Sequence, residues 1–298
     1  MDTFIQQMIN GLTLGSVYAL IALGYTLVYG IIKLLNFAHG DIFMVGSFVS
    51  YYLILSFNMN IFVAFLGTMA ITAVLGVITD QVAYKPLRSA PRISALITSI
   101  GVSYLLRNGI IVLAGAETRA YLQAFDNVPS FVNQSFQIGN ITIRVMQVIL
   151  LVTTIALMVI LQFIVQKTKM GKAMRAVSVD ADAAQLMGID TNTVIAFTFV
   201  LGSALAGASG MLVGIYYNSI SPLLGVGYGT KAFVAAVIGG IGLIPGAVLG
   251  GYLLGMTEVM ITAYGNSMIR DAVVYIILIV ILLIRPAGLL GKHQSAKV

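Results

Sequence analysis

The chain has 298 residues, of which 59% are hydrophobic and only 26 are charged (16 basic, 10 acidic), with 31 glycines and no cysteine. Soluble domains are roughly 45–50% apolar and about 25% charged, so this chain cannot clothe itself in polar surface and lipid has to be its solvent. The missing cysteines exclude disulfides, thiol catalysis and cysteine-held metals, and the net charge of +6 reads as loop charge of a polytopic protein rather than a nucleic-acid surface.

A membrane-crossing helix needs about 20 apolar residues. The opening MDTFIQQMIN has neither the basic region nor the cleavage site of a secretory signal, so the first span, near 9–30, is expected to be retained. Residues 42–79 carry no charge and leave room for two passes turning at SFNMN, 56–60. Further spans are expected at 93–114, where Arg107 can snorkel to one end, at 145–166 and at 192–217. Residues 229–284 hold two or three segments, broken by GGIGLIPG at 239–246. The expected fold is therefore an all-α polytopic membrane protein, a single domain over 1–298 with about 8–9 membrane segments, some broken or re-entrant.

Basic residues set the orientation, because basic loops resist export. Lys33, the loop 81–92 (Lys85, Arg88, Arg92), the loop 167–190 (Lys167, Lys169, Lys172, Arg175) and the tail 285–298 (Arg285, Lys292, Lys297) hold 11 of the 16. That side is read as cytoplasmic. Arg107, Arg119, Arg144 and Arg270 fall on the other side, Lys231 stays unassigned, and 115–144, with Glu117, Asp126 and Pro129, becomes an external loop. The C-terminus is then inside and the N-terminus outside, which requires an odd number of passes.

Two places are too irregular for lipid-facing helix. Asn36-Phe-Ala-His-Gly-Asp41 puts an amide, an imidazole and a carboxylate between apolar spans. Polar groups at membrane depth usually face a protein interior or a water-filled cavity, so Asn36, His39, Gly40 and Asp41 are candidates to line or gate a path. Equally, Asn36 and Asp41 could cap a helix start at the interface. The second place is GGIGLIPG, where Pro245 and the glycines disfavour a continuous helix, making Gly239, Gly240, Gly242 and Pro245 further path candidates. Ala and Val follow Gly246 where a phosphate loop needs Lys and Ser or Thr, so no nucleotide site is read there. Small-residue spacings such as Gly11/Gly15, Gly210/Gly214 and Gly251/Gly255 suit close helix packing, within the chain or with another subunit. Lys231 and Glu258 are isolated ionisable residues in apolar runs, as suited to interhelical bonding as to proton transfer.

Lys167–Asp190, KTKMGKAMRAVSVDADAAQLMGID, is the one charged internal stretch, with seven charged residues between two uncharged runs. Ala181 to Met187 favour a short helix, which Asp180 or Ser178 can cap and Gly188 can end in a left-handed turn. Asp190 or Thr191 then caps the next span. Leu186 and Met187 would lie exposed unless a partner covers them, so a docking element is favoured over a plain connector.

DAAQLMG at 182–188 resembles the EAA-type coupling loop of ABC importer permeases, with Asp182 where Glu is usual. NGLTLGSVYALIALGYTLVYGIIKLLNFAHGD at 10–41, MGKAMRAVSVDADAAQLMGID at 170–190 and KAFVAAVIGGIGLIPGAVLGG at 231–251 are similar to the LivH-like permease subunits of Liv-type branched-chain amino-acid ABC transporters. The resemblance covers nearly the whole chain. It implies an ABC importer permease fold, a paralogous or identical permease partner, two cytoplasmic ATPases that bind ATP and Mg, and an external solute-binding protein facing 115–144. It implies no cofactor in this chain, no nucleic acid, and a bacterial inner-membrane location. The coupling element falls on Ala181, Asp182, Ala183, Ala184, Leu186 and Gly188, with Lys169, Gly171 and Arg175 as its basic lead-in. Asn36, His39, Gly40 and Asp41 match the family's N-x-x-H-G-[DE] tract.

The expected cargo is leucine, isoleucine or valine; urea or short amides would suit the same architecture. A proton-coupled carrier, a different class, would need Asp41, Glu258 or His39 to cycle protons. An enzyme has little to work with, since the chain contains only two histidines.

Overall fold

A computed structural model describes residues 2–88, 90–121, 132 and 134–291. Asp126 and Pro129 of the 115–144 segment, Lys292, His293 and Lys297 of the tail, and the side chain of Arg92 lie outside the described residues. The protein is an all-α polytopic membrane protein. Among the described residues, eight helices are long and apolar enough to cross a membrane. They are α1 (Asp2–Ile32), α2 (Ala38–Leu55), α3 (Ile61–Thr79, prolonged by tighter and wider turns to Leu87), α4 (Arg92–Ala114), α5 (Val145–Lys167), α8 (Thr191–Tyr217), α10 (Ile244–Tyr264) and α11 (Arg270–Ile284). The shorter α6 (Lys169–Val179) and α7 (Ala181–Leu186) form the charged loop, and α9 (Leu224–Gly239) is a 16-residue apolar helix. The expected two or three segments at 229–284 are thus three: α9, α10 and α11.

α1, α2 and α8 are mostly buried, and α10 half so, whereas α3, α4, α5 and α11 expose most of their length. Val112, Leu113 and Leu283 are among the outward apolar side chains. Close packing at the centre depends on glycine. A Cβ at Gly255 would stand 2.2 Å from the Gly15 nitrogen, and one at Gly46 would stand 2.6 Å from the Gly207 Cα. Without Cβ atoms these backbones approach closely enough for dispersion to hold the helices together in lipid. The glycine stripes therefore serve packing inside this chain.

The upper face is the one where α1 starts. There Gln6 and Asp2 bond Thr142 and Asn140, which belong to a β-hairpin of β1 (Ser135–Ile138) and β2 (Ile141–Arg144). Within 115–144, read from the sequence as an external loop, this hairpin is regular structure. Nearby, Arg119 pairs with Ile220 in an isolated antiparallel bridge. At the lower face, α6 buries Met174 and Val177 against Leu27 and Ile31 of α1. Leu289 and Leu290 also reach this face, donating to the carbonyls of Ile238 and Gly239. Among the described residues the eight long helices are joined by the shorter α9, whose 16 residues fall short of the length of a full crossing.

Candidate translocation site

α1 runs 31 residues, about 46 Å at 1.5 Å per residue and longer than a hydrocarbon core of about 30 Å. Past Ile32 the chain reverses at Lys33, which adopts φ +57°, and climbs back beside α1. α2 then starts not at the face but against Gly24, where the His39 ring lies so close that a Cβ would meet it at 2.3 Å. Gly24 is eight residues inside the end of α1, about 12 Å deep. The tract 36–41 is therefore a helix start set back from the end of α1, inside the helix bundle.

The polar side chains there do not cap α2. Its N-cap is Phe37, with no side-chain cap bond. Asn36 instead accepts a 2.9 Å hydrogen bond from the Tyr84 hydroxyl. His39 is 1% exposed and stands edge-on to Tyr25, with ring centres 4.6 Å apart. Gly40 packs on Gly225 and Gly229 of α9. Two buried atoms, Asn36 Nδ2 and His39 Nε2, have no hydrogen-bond partner among the described residues, which is costly unless water reaches them.

Asp41, 2% exposed, points to α4. It accepts a short hydrogen bond from the Ser103 hydroxyl and faces Arg107, with Nε and Nη2 at 3.3–3.4 Å. Arg107, expected to snorkel outward, is instead turned inward to a buried carboxylate. The pair borders an open cavity of about 260 Å³ whose walls include Tyr25, Phe37, Tyr104, Gly225, Val226 and Thr230. A carboxylate 66 residues away in sequence explains the inward turn; at membrane depth a charge is cheaper beside its opposite than beside lipid.

A second ionic cluster lies higher. Glu258 of α10 accepts from Lys231 of α9 at 2.7 Å and from the Tyr18 hydroxyl at 2.7 Å, and forms an ion pair with Arg270 at the start of α11 at 3.1 Å. Lys231 also reaches Asp271 at 2.9 Å. The two isolated residues of the sequence are thus one interhelical network tying α1, α9, α10 and α11. Arg270 and Asp271 were not singled out, and nothing local in the sequence marks them.

GGIGLIPG stands apart from this cavity. Gly240 (φ +108°) and Gly242 (φ +98°) turn the chain between α9 and α10, and Pro245 sits in the first turn of α10, where its missing N–H costs nothing. Gly239 packs on Gly246, Gly240 on the tail at Gly288, and Gly242 on Gly30 near the lower end of α1. Gly239, Gly240, Gly242 and Pro245 therefore form a lower-face turn braced by the tail, remote from Asp41.

The charged loop folds as two helices. Thr168 caps α6 by accepting from the Gly171 N–H at 3.0 Å. A Cβ at Gly171 would stand 2.2 and 2.4 Å from the Ile164 and Val165 carbonyls, so glycine lets α6 fold back on the end of α5. Arg175 donates to the Val165 carbonyl, a cation set against the negative end of a helix. Asp180 caps α7 through the Ala183 N–H at 2.9 Å, Gly188 adopts φ +84°, and Asp190 caps α8 through the Asn192 N–H at 3.0 Å. The Thr193 hydroxyl and the backbone N–H groups of Thr193 and Asn192 hold the Asp190 carboxyl below its ordinary range. Ala184 is buried, while Lys169, Ala181, Asp182 and Ala183 are exposed and Leu186 and Met187 are 88% and 82% exposed. The basic lead-in is itself a helix, α6.

Eight membrane-length helices, a helix start tucked inside the bundle and a charge pair bordering an open cavity are the features of a multi-pass membrane protein with a polar interior. The sequence profile described as "Branched-chain amino acid transport system / permease component" matches residues 7–282, and the chain belongs to that family. It is 41% identical over 308 aligned positions to the high-affinity branched-chain amino acid transport system permease protein LivH of Escherichia coli K12, covering 99% of this chain and 98% of the relative. It is 39% identical to BraD of Pseudomonas aeruginosa over the same shares. It is 32% identical to the probable branched-chain amino acid transport permease protein LivH of Methanocaldococcus jannaschii, over 91% and 88%. No solved structure matches it.

Proposed function

We propose that this chain is one of two permease subunits of an ATP-driven ABC importer that takes in leucine, isoleucine and valine. The family and the names of the relatives support the cargo class. The observation that carries the ATP-driven reading is α7: a capped helix on the lower face with Leu186 and Met187 bare, in a chain whose sequence has no phosphate loop. In this reading α7 seats in a cytoplasmic ATPase, and ATP and Mg are held there rather than here.

The lower face, with Lys33, Lys85, Arg88 and the basic residues of 167–175, is the cytoplasmic one by the positive-inside rule. The upper face, with the hairpin and the rest of 115–144, receives an external solute-binding protein. The partner permease is a paralogue or a second copy, and the membrane is the bacterial inner membrane. Asn36, His39, Gly40 and Asp41 line or gate the path at the start of α2.

Reconstitution with the partner permease, the ATPases and the binding protein tests this reading. Labelled leucine enters vesicles only with ATP, and isoleucine and valine compete while urea does not. Uptake that ignores ATP overturns the importer reading; competition by urea alone overturns the cargo.

A further inference from the structure

Asp41 and Arg107 do more than neutralise each other, because both line the same open cavity. We propose that this cavity is a waystation for a zwitterionic α-amino acid, with Asp41 receiving the ammonium and Arg107 the carboxylate. The proposal rests on the permease reading above and adds to it the group chemistry by which the membrane subunit meets its cargo.

Four observations carry it. The pair is loose: its contacts of 3.3–3.4 Å exceed the roughly 2.7–2.9 Å of a tight charge-assisted bond, so a ligand can enter between the charges at small loss. Guanidinium suits a carboxylate in the bidentate mode, while a carboxylate backed by the Ser103 hydroxyl suits an ammonium. The walls are mixed in the required way: Phe37, Ile100 and Val226 offer apolar surface for a branched side chain, while Gly225 and Gly229 let α9 close on Gly40 and so hold Asp41 at the cavity wall. Finally, about 260 Å³ lies just under the roughly 300–1,000 Å³ of pockets for drug-sized ligands, fitting one small solute.

A purely structural ion pair gains nothing by bordering a cavity, and buried pairs are weak stabilisers against apolar replacements. Opposite charges a few ångströms apart do match the two ends of an amino-acid head group. A neutral solute such as urea carries neither charge and gains from neither residue. Affinity has to stay low, since a transport site must release what it binds.

The chain contains no cysteine, so Thr230→Cys at the cavity rim introduces a single reporter in this subunit. In the assembled complex, without binding protein, the rate at which a small charged thiosulfonate modifies that cysteine is measured with millimolar leucine, leucinamide, 4-methylpentanoate or urea. Leucine slows modification severalfold; leucinamide, which lacks the carboxylate, 4-methylpentanoate, which lacks the amine, and urea do not. Adding Asp41→Asn with Arg107→Gln, a neutral pair that leaves no lone buried charge, abolishes the protection. No protection by leucine, or equal protection by leucinamide, overturns the proposal, and the unaltered Asp41–Arg107 background decides this alone if the double variant misfolds. ATP-driven leucine uptake by the wild-type complex is followed in parallel. Uptake without protection removes the waystation only, whereas uptake independent of ATP removes the importer reading itself.

Discussion

Tyr84 donates a 2.9 Å hydrogen bond to the side-chain carbonyl of Asn36, joining the lower end of α3 to the start of α2. Tyr84 closes the wide turn Asp80–Tyr84, whose buried Asp80 takes both oxygens to Arg88 at 2.6 and 2.8 Å. Arg88 in turn contacts Asn192, two residues past Asp190, the cap between α7 and α8. Polar contacts joined by short stretches of backbone thus connect the start of α8, just after α7, to the 36–41 tract. Contiguity alone does not establish coupling, so it has to be measured.

Tyr84→Phe removes one interhelical hydrogen bond and keeps the ring that packs on Phe199. Such bonds in membrane proteins average about 0.6 kcal/mol, so thermal stability of the purified complex falls only slightly. The ratio of ATP hydrolysed to leucine transported, measured in vesicles, rises severalfold. An unchanged ratio would show that α7 and α2 communicate by another route.

Leu186→Asp tests the docking role of α7 without disturbing the fold. The side chain is 88% exposed, and surface changes away from special features stay within about ±0.5 kcal/mol. The subunit inserts and melts like wild type, but the ATPases no longer co-purify with it. Ala184→Glu is the contrasting case: Ala184 is buried against the loop's own core, so it lowers loop stability as well as docking. Retention of the ATPases by Leu186→Asp at full yield would count against α7 as their seat.

Much of this arrangement was legible in the sequence because it is local. The caps Asp180 and Asp190, the left-handed Gly188 and the exposed Leu186 follow from residue types a few positions apart. The break at 36–41 was visible because polar residues interrupt an apolar run. What the sequence could not supply was the partner of each charge. Arg107 meets Asp41 across 66 residues and Lys231 meets Glu258 across 27, and hydropathy treats both only as blemishes. α6 was hidden for another reason: its apolar stripe of Met174 and Val177 is brief, and the four basic residues around it dominate the composition.

Gly24 is the position where a single methyl group does most at the α2 start. A Cβ there would stand 2.3 Å from His39 Cε1 and Nε2 and 3.0 Å from the Gly202 carbonyl. Overpacking of this kind typically costs about 1–3 kcal/mol. Gly24→Ala therefore lowers the melting temperature and reduces uptake, and shortening the imidazole in Gly24→Ala/His39→Ala restores melting without restoring uptake. If the double variant recovers both, His39 is packing material and not part of the path.

The Glu258 cluster separates stability from transport in the opposite sense. Glu258→Gln leaves Lys231, only 13% exposed, facing a neutral amide, with Asp271 at 2.9 Å as its remaining counter-charge. Breaking one side of a buried pair costs about 3–5 kcal/mol because a charge is stranded; Asp271 keeps the loss at the lower end of that range. Lys231→Gln/Glu258→Gln removes both charges, so most of the loss returns, and the double-mutant cycle yields a coupling within the roughly 0.5–3 kcal/mol seen for contacting residues. The readout is thermal unfolding of the detergent-purified complex. Additive losses would mean that Lys231 and Glu258 are held by their other partners, Asp271, Arg270 and Tyr18, and that the 2.7 Å contact between them contributes nothing of its own.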